Sequence, residues 1–186
     1  MYSKKYKFLF VHPQKCAGGS IKRSLRRSFK KKNIIETERG GHWSLDQWNY
    51  YIDDNLDDYF KFSIVRNPWD RFVSYYFHLK KYRDLKESFG MFLRNFSEEK
   101  HRFNVKHKIT SQNNIELDFI MKFEDLEPDF DFVMKKLGLE KYTALKKIDH
   151  GTSRGKRNYE SFYNEVTKNI VAKMCKWEIG EFGYEF

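Results

Sequence analysis

Three apolar stretches interrupt an otherwise polar chain: residues 6–11 (YKFLFV), 60–65 (FKFSIV) and 117–123 (LDFIMKF). Short, β-former-rich runs without strict alternation read as strands covered on both faces, as in a parallel sheet. Elsewhere the spacing is helical. Ile21, Leu25 and Phe29 recur at i, i+4 and i+8, which predicts a helix from Ser20 with one buried stripe. Ser44 and Gln47 have capping-box spacing and predict a helix ending near residue 52. Asn67 reads as the next helix cap, Pro68 as the first helical position and Asp70 as the reciprocal cap partner. Further helices are expected over residues 85–96, over 129–137 closed by Gly138, and over 161–176 with Phe162, Val166, Ile170 and Met174 on one face. Residues 97–114 are polar and basic without clear periodicity, and the aromatic ending FGYEF is expected to dock on the core. Strands alternating with helices define an α/β class.

The junctions between strands and helices carry the candidate chemistry. The first strand runs into HPQKCAGG and then a helix start. Such a loop suits an anion, because free backbone N–H groups and the positive end of the helix dipole converge there. Gly18 and Gly19 allow close backbone approach, Ser20 can cap the helix and donate its hydroxyl, and Lys15 adds a mobile charge. A turn that merely uses its glycines to change direction has the same pattern. The nucleotide-triphosphate loop is excluded, since it needs Gly, four residues, then Gly-Lys-Ser/Thr, and here the lysine precedes the glycines.

The second strand ends at Arg66, and Ser74 follows about two turns into the next helix, at about 3.6 residues per turn. Ligands of open α/β sheets bind beyond the carboxyl ends of strands. Two units with a basic residue at that edge point to one ligand bearing two anionic groups; an ion pair with Asp70 is the structural alternative for Arg66. His42 falls on a loop just before a helix, where its proton can move near neutral pH or where it serves only the surface. Residues 150–159 (HGTSRGKRNY) form a glycine-rich basic loop that can close over a phosphate through Arg154, Lys156 and Arg157, or simply stay solvated.

Composition narrows the partners. With 186 residues the chain is expected to form one domain, residues 1–186. The formal net charge of +10 suggests an anionic partner: a nucleotide, a nucleic acid, an acidic polysaccharide or an anionic membrane. The basic face of the first helix (Lys22, Arg23, Arg26, Arg27, Lys30) reads as solvated, and an acidic acceptor can lie along it. Cys16 and Cys175 make neither a disulfide framework nor a zinc site, and Cys16 reads as a small loop residue. His101 and His107 lack metal-ligand spacing. No segment is long and apolar enough to span a bilayer, and residues 1–11 lack signal-peptide features, so a cytoplasmic location is expected.

FLFVHPQKCAGGSIKRSL followed by YFKFSIVRNPWDRFVSYY resembles the sulfotransferases that use 3′-phosphoadenosine 5′-phosphosulfate (PAPS). It is nearest to the carbohydrate enzymes of heparan 2-O and chondroitin/dermatan type and their bacterial relatives. The histidine segment, IMKFEDL and the FGYEF ending add to the resemblance. It implies a three-layer, P-loop-NTPase-like α/β fold with a mostly parallel central sheet, PAPS as donor, no metal, a carbohydrate acceptor, no nucleic-acid partner and a bacterial source. It further implies that Lys15, Ala17, Gly18, Gly19, Ser20 and Ile21 bind the 5′-phosphosulfate, and that Arg66 and Ser74 bind the 3′-phosphate. His42 becomes the general base, with Lys15 assisting catalysis. Arg154, Gly155, Lys156 and Arg157 would cover the nucleotide. The first motif departs from the PKTGGT and PKTAGT forms commoner in the family.

Three other readings are weighed beside it. A nucleotide kinase lacks support from Gly-Lys-Ser/Thr or a magnesium-binding strand aspartate. A basic nucleic-acid-binding module fits the charge but not the paired strand–loop–helix units. A donor-binding protein without chemistry has the same sequence pattern.

Overall fold

The strand that the sequence announces most clearly, residues 60–65, is the one on which the parallel sheet is built. A computed structural model describes residues 1–29, 33–36, 42–96, 103–139, 145 and 158–186. In chain order its elements are β1 (Tyr2–Ser3), β2 (Phe8–Phe10), α1 (Gly18–Ser28), α2 (Leu45–Tyr51), β3 (Phe60–Val65), α3 (Pro68–Arg83), α4 (Phe89–Asn95), α5 (Val105–Ile109), β4 (Phe119–Lys122), α6 (Leu126–Lys136), α7 (Glu165–Met174) and α8 (Lys176–Phe182). They form two compact units. The first comprises Met1–Val65 and Val105–Lys147, the second Arg66–Asn104 and Ile148–Phe186.

The first unit holds a four-stranded sheet of order β1-β2-β3-β4. β2, β3 and β4 are parallel, with Phe10 opposite Phe62 and Ile64 opposite Met121; β1 is antiparallel to β2. Alternation along each strand sends side chains to opposite faces. Phe8, Phe10, Phe62, Ile64 and Met121 meet Ile21 and Leu25 of α1 and Phe130, Val133 and Met134 of α6. Leu9 and Val11 meet Leu45 and Trp48 of α2, with Tyr2, Ile52 and Tyr59 around them. The result is the expected mixed α/β arrangement, a mostly parallel sheet between helical layers. The capping box predicted at α2 is present: Gln47 donates its N–H to the Ser44 hydroxyl while Ser44 N donates to Gln47 Oε1 at 2.8 Å.

The second unit is helical and ring-rich. Trp69 and Asp70 donate their backbone N–H groups to Asn67 Oδ1, as the predicted cap requires, while the Asp70 carboxylate pairs with Arg66. Asn67 Nδ2 donates to the Glu185 carbonyl at 2.8 Å, and Phe186 stands edge-on to Trp69, Tyr159 and Tyr163, so the aromatic ending docks as expected. Arg71 is fully buried, 2.8 Å from both Glu178 carboxylate oxygens, over the Phe103 ring, and donates to the Phe103 carbonyl.

Several expected boundaries move. The helix expected over 85–96 starts only at its Ser88 cap. The one expected over 129–137 starts at Leu126, with Pro128 in the first turn where its missing N–H costs nothing. The single helix expected over 161–176 becomes a 3₁₀ turn at Tyr159–Phe162, then α7 from an Asn164–Thr167 capping box, then a break at Cys175 before α8. Because Phe162 lies outside α7, the stripe phased from it is wrong by one position. Thr167, Val171 and Cys175 are buried, and Val166 is 55% exposed. Part of the stretch read as featureless between 97 and 114 forms α5.

Candidate functional site

β2 leads into the predicted loop, and two of its non-glycine residues adopt the left-handed region: Lys15 at φ 64° and Ala17 at φ 56°. Ala17 is the cap of α1 and makes no side-chain cap bond. Ser20, expected to cap, instead occupies the third helical position, because the left-handed turn at Ala17 starts the helix earlier. Ser20 and Ile21 donate their N–H groups to the Ala17 carbonyl at 2.9 and 3.2 Å, and the Ile21 side chain is core. Gly18 and Gly19 open the helix, and no acidic residue stands in its first turn. A helix start of this kind, beside Lys15, has the donor set an anion needs. The two glycines differ in purpose. A Cβ on Gly19 would meet open space, whereas a Cβ on Gly18 would lie 2.3 Å from His12 Nδ1. Gly18 is therefore required by a ring beneath it. Cys16 is buried in the core.

That ring belongs to a histidine the sequence reading passed over. His12 is buried, stacked on Phe10, and its Nδ1 lies 3.1 Å from His42 Nδ1. His42 Nδ1 is also 3.1 Å from the His12 carbonyl. Burial holds His42 below its ordinary pKa of 6.5 against the pull of that carbonyl, and Lys22, Lys108 and Lys15 push the same way as burial. Burial also holds His12 well below 6.5, with His42, Lys22 and the Met1 amino group adding to it. Both rings are therefore neutral at neutral pH. The signal that could have found His12 is steric: a first-turn glycine that caps nothing and needs a neighbour to explain it.

Arg66 and Ser74 belong to the second unit. Arg66 donates to Asp70 through Nε at 2.9 Å and Nη2 at 2.7 Å, so the structural alternative for it is realised, and both side chains are largely buried. Ser74 is buried on α3. Arg154, Gly155, Lys156 and Arg157 lie outside the described residues, as does His101. On the basic face of α1, Lys22 and Arg26 are not simply solvated, because Glu36 pairs with both. Among the described residues, no helix is long and apolar enough to cross a membrane.

A parallel sheet feeding a glycine loop at a helix start defines a P-loop-like α/β protein. The chain belongs to the sulfotransferase family, whose family model matches residues 1–185. It is 26% identical to carbohydrate sulfotransferase 10 of Xenopus laevis over 162 residues, which are 66% of this chain and 46% of that protein. An uncharacterized protein of Archaeoglobus fulgidus is 34% identical over 86 residues, covering 45% of this chain and 72% of that protein. The chain thus spans less than half the length of the Xenopus enzyme. No solved structure matches it.

Proposed function

We propose that the protein transfers a sulfuryl group from PAPS to a carbohydrate hydroxyl. Family membership supports the transfer, and the similarity to a carbohydrate sulfotransferase supports the acceptor class. The observation that carries the reading lies in the first unit: a neutral histidine, His42, is tied through His12 to the first turn of an anion-suited helix.

His42 takes the acceptor hydroxyl proton as the acceptor oxygen bonds to sulfur, a contribution typically of about 10²–10⁴-fold. The bond from sulfur to the bridging oxygen breaks, and adenosine 3′,5′-bisphosphate leaves with that electron pair. Lys15 and the N–H groups opening α1 stabilise the charge that grows on the bridging oxygen and the 5′-phosphate. Arg66, shared with Asp70, and Ser74 bind the 3′-phosphate, so contacts remote from sulfur fix the donor. The loop bearing Arg154, Gly155, Lys156 and Arg157 closes over the nucleotide.

Calorimetric titration with adenosine 3′,5′-bisphosphate, against 5′-AMP and ATP, tests the donor. Tight binding that depends on the 3′-phosphate is expected. Equal binding of all three nucleotides would overturn the reading. Transfer of labelled sulfate to desulfated polysaccharides then tests the acceptor.

A further inference from the structure

We propose that His12 is a positioning residue that fixes the protonation pattern of His42, so that the nitrogen left to accept a proton is Nε2. The inference rests on the reading of His42 as the base and adds to it the group that aims the base. His42 Nδ1 lies 3.1 Å from a carbonyl oxygen, that of His12, and a carbonyl can only accept. His42 Nδ1 therefore carries its hydrogen. The same nitrogen lies 3.1 Å from His12 Nδ1. Two N–H groups cannot face each other at that distance, so His12 Nδ1 presents its lone pair and holds its own hydrogen on Nε2. His42 is left with a bare Nε2. A hydrogen bond at one ring nitrogen sets the state of the other.

Packing keeps the arrangement in place. The His12 ring is held between Phe10, at 5.2 Å between centroids, and the backbone of Gly18, where its Nδ1 fills the place of a Cβ. One buried ring thereby touches both the first turn of α1 and His42. The charged groups that face the pair come from several elements: Lys15 from the loop, Lys22 from α1, Lys108 from α5 and the Met1 amino group. The three lysines are cationic, and they disfavour a second proton on either ring, while burial lowers the pKa of the Met1 amino group itself. Protonating His12 at Nδ1 would set its new N–H against that of His42.

The direct test is nitrogen-15 NMR of the histidine rings in the whole protein, with and without adenosine 3′,5′-bisphosphate. The expected result at neutral pH is His42 protonated on Nδ1 with an unprotonated Nε2, and His12 protonated on Nε2. A His42 ring protonated on Nε2 would overturn the proposal. The companion variant is His12→Phe, which retains a ring beneath Gly18 and the residue-12 carbonyl and removes the ring acceptor alone. It should lower turnover at least about tenfold, as loss of a group that supports a functional histidine does. Bisphosphate affinity should change less than twofold. Loss of an acceptor that favours the His42 cation should also move the acid limb of kcat to lower pH. A merely structural His12 would leave that limb in place, and unchanged turnover would likewise overturn the proposal. Absence of bisphosphate binding with the predicted tautomers intact counts against the donor reading alone.

Discussion

Gly18 leaves a space that the His12 ring fills: a Cβ at residue 18 would sit 2.3 Å from His12 Nδ1 and 2.5 Å from its Cγ. Gly18→Ala must therefore displace the ring or the first turn of α1, and overpacking of this kind costs about 1–3 kcal/mol. Gly19→Ala, whose Cβ meets open space, is the matched control and should be close to neutral. Urea unfolding of the two variants decides the point. Equal stabilities would remove the steric reading.

Arg71 and Glu178 make a different demand. Both are buried, with the guanidinium 2.8 Å from each carboxylate oxygen. Removing one partner leaves a charge without its counter-ion, which typically costs about 3–5 kcal/mol. Arg71→Met and Glu178→Gln should each lower the unfolding free energy from denaturant titration by an amount in that range. The double variant should recover part of the loss, since it strands no charge.

Stability should fall in mild acid through His12. Its folded pKa lies well below the ordinary 6.5, so the unfolded chain takes up the proton first. The contribution is complete above about pH 6.5 and is lost progressively as pH falls below it toward the folded value. A series of Tm measurements from pH 7.5 downward should show a decline that is shallower in His12→Phe. Identical slopes in the two proteins would refute the linkage.

His42 and Arg66 should separate chemistry from binding. His42→Ala is expected to cut turnover by about 10²–10⁴-fold with nearly intact bisphosphate affinity. Arg66→Ala should weaken the 3′,5′-bisphosphate far more than 5′-AMP. Because Arg66 also pairs with Asp70, an Asp70→Asn variant isolates the contribution of that pair. Matching losses for both nucleotides would reject the 3′-phosphate role.

What the chain made legible was local. The strand at 60–65 is rich in β-formers, with Phe60, Phe62, Ile64 and Val65, and the caps at Ser44 and Asn67 are short-range hydrogen bonds between residue types chosen for them. β1 was not legible, because two residues make no pattern and its pairing with Leu9 and Phe8 is tertiary. The phase of α7 failed for a similar reason: the Asn164–Thr167 box starts the helix after Phe162, and only the observed start shows which positions face inward. At the site, Lys15, the two glycines and His42 were visible from residue type and order. His12 was not, because nothing in a strand-end histidine announces a ring stacked on Phe10 and folded under a glycine six residues further on. Buried charge was equally silent: Arg71 reads as one more basic residue until Glu178, more than a hundred positions on, meets it.

The partners of Asn67 and Arg71 also set an order of events during synthesis. The residues of the first unit end at Lys147. The second cannot close then. Arg71 must wait for Glu178 before its charge can be buried, and Asn67 waits for the carbonyl of Glu185. A ribosome that pauses before residue 178 therefore holds a chain whose Arg71 charge has no counter-ion and whose Trp69 lacks Phe186, although Phe72 and Tyr75 already have Phe92, Phe96 and Phe103 to pack on.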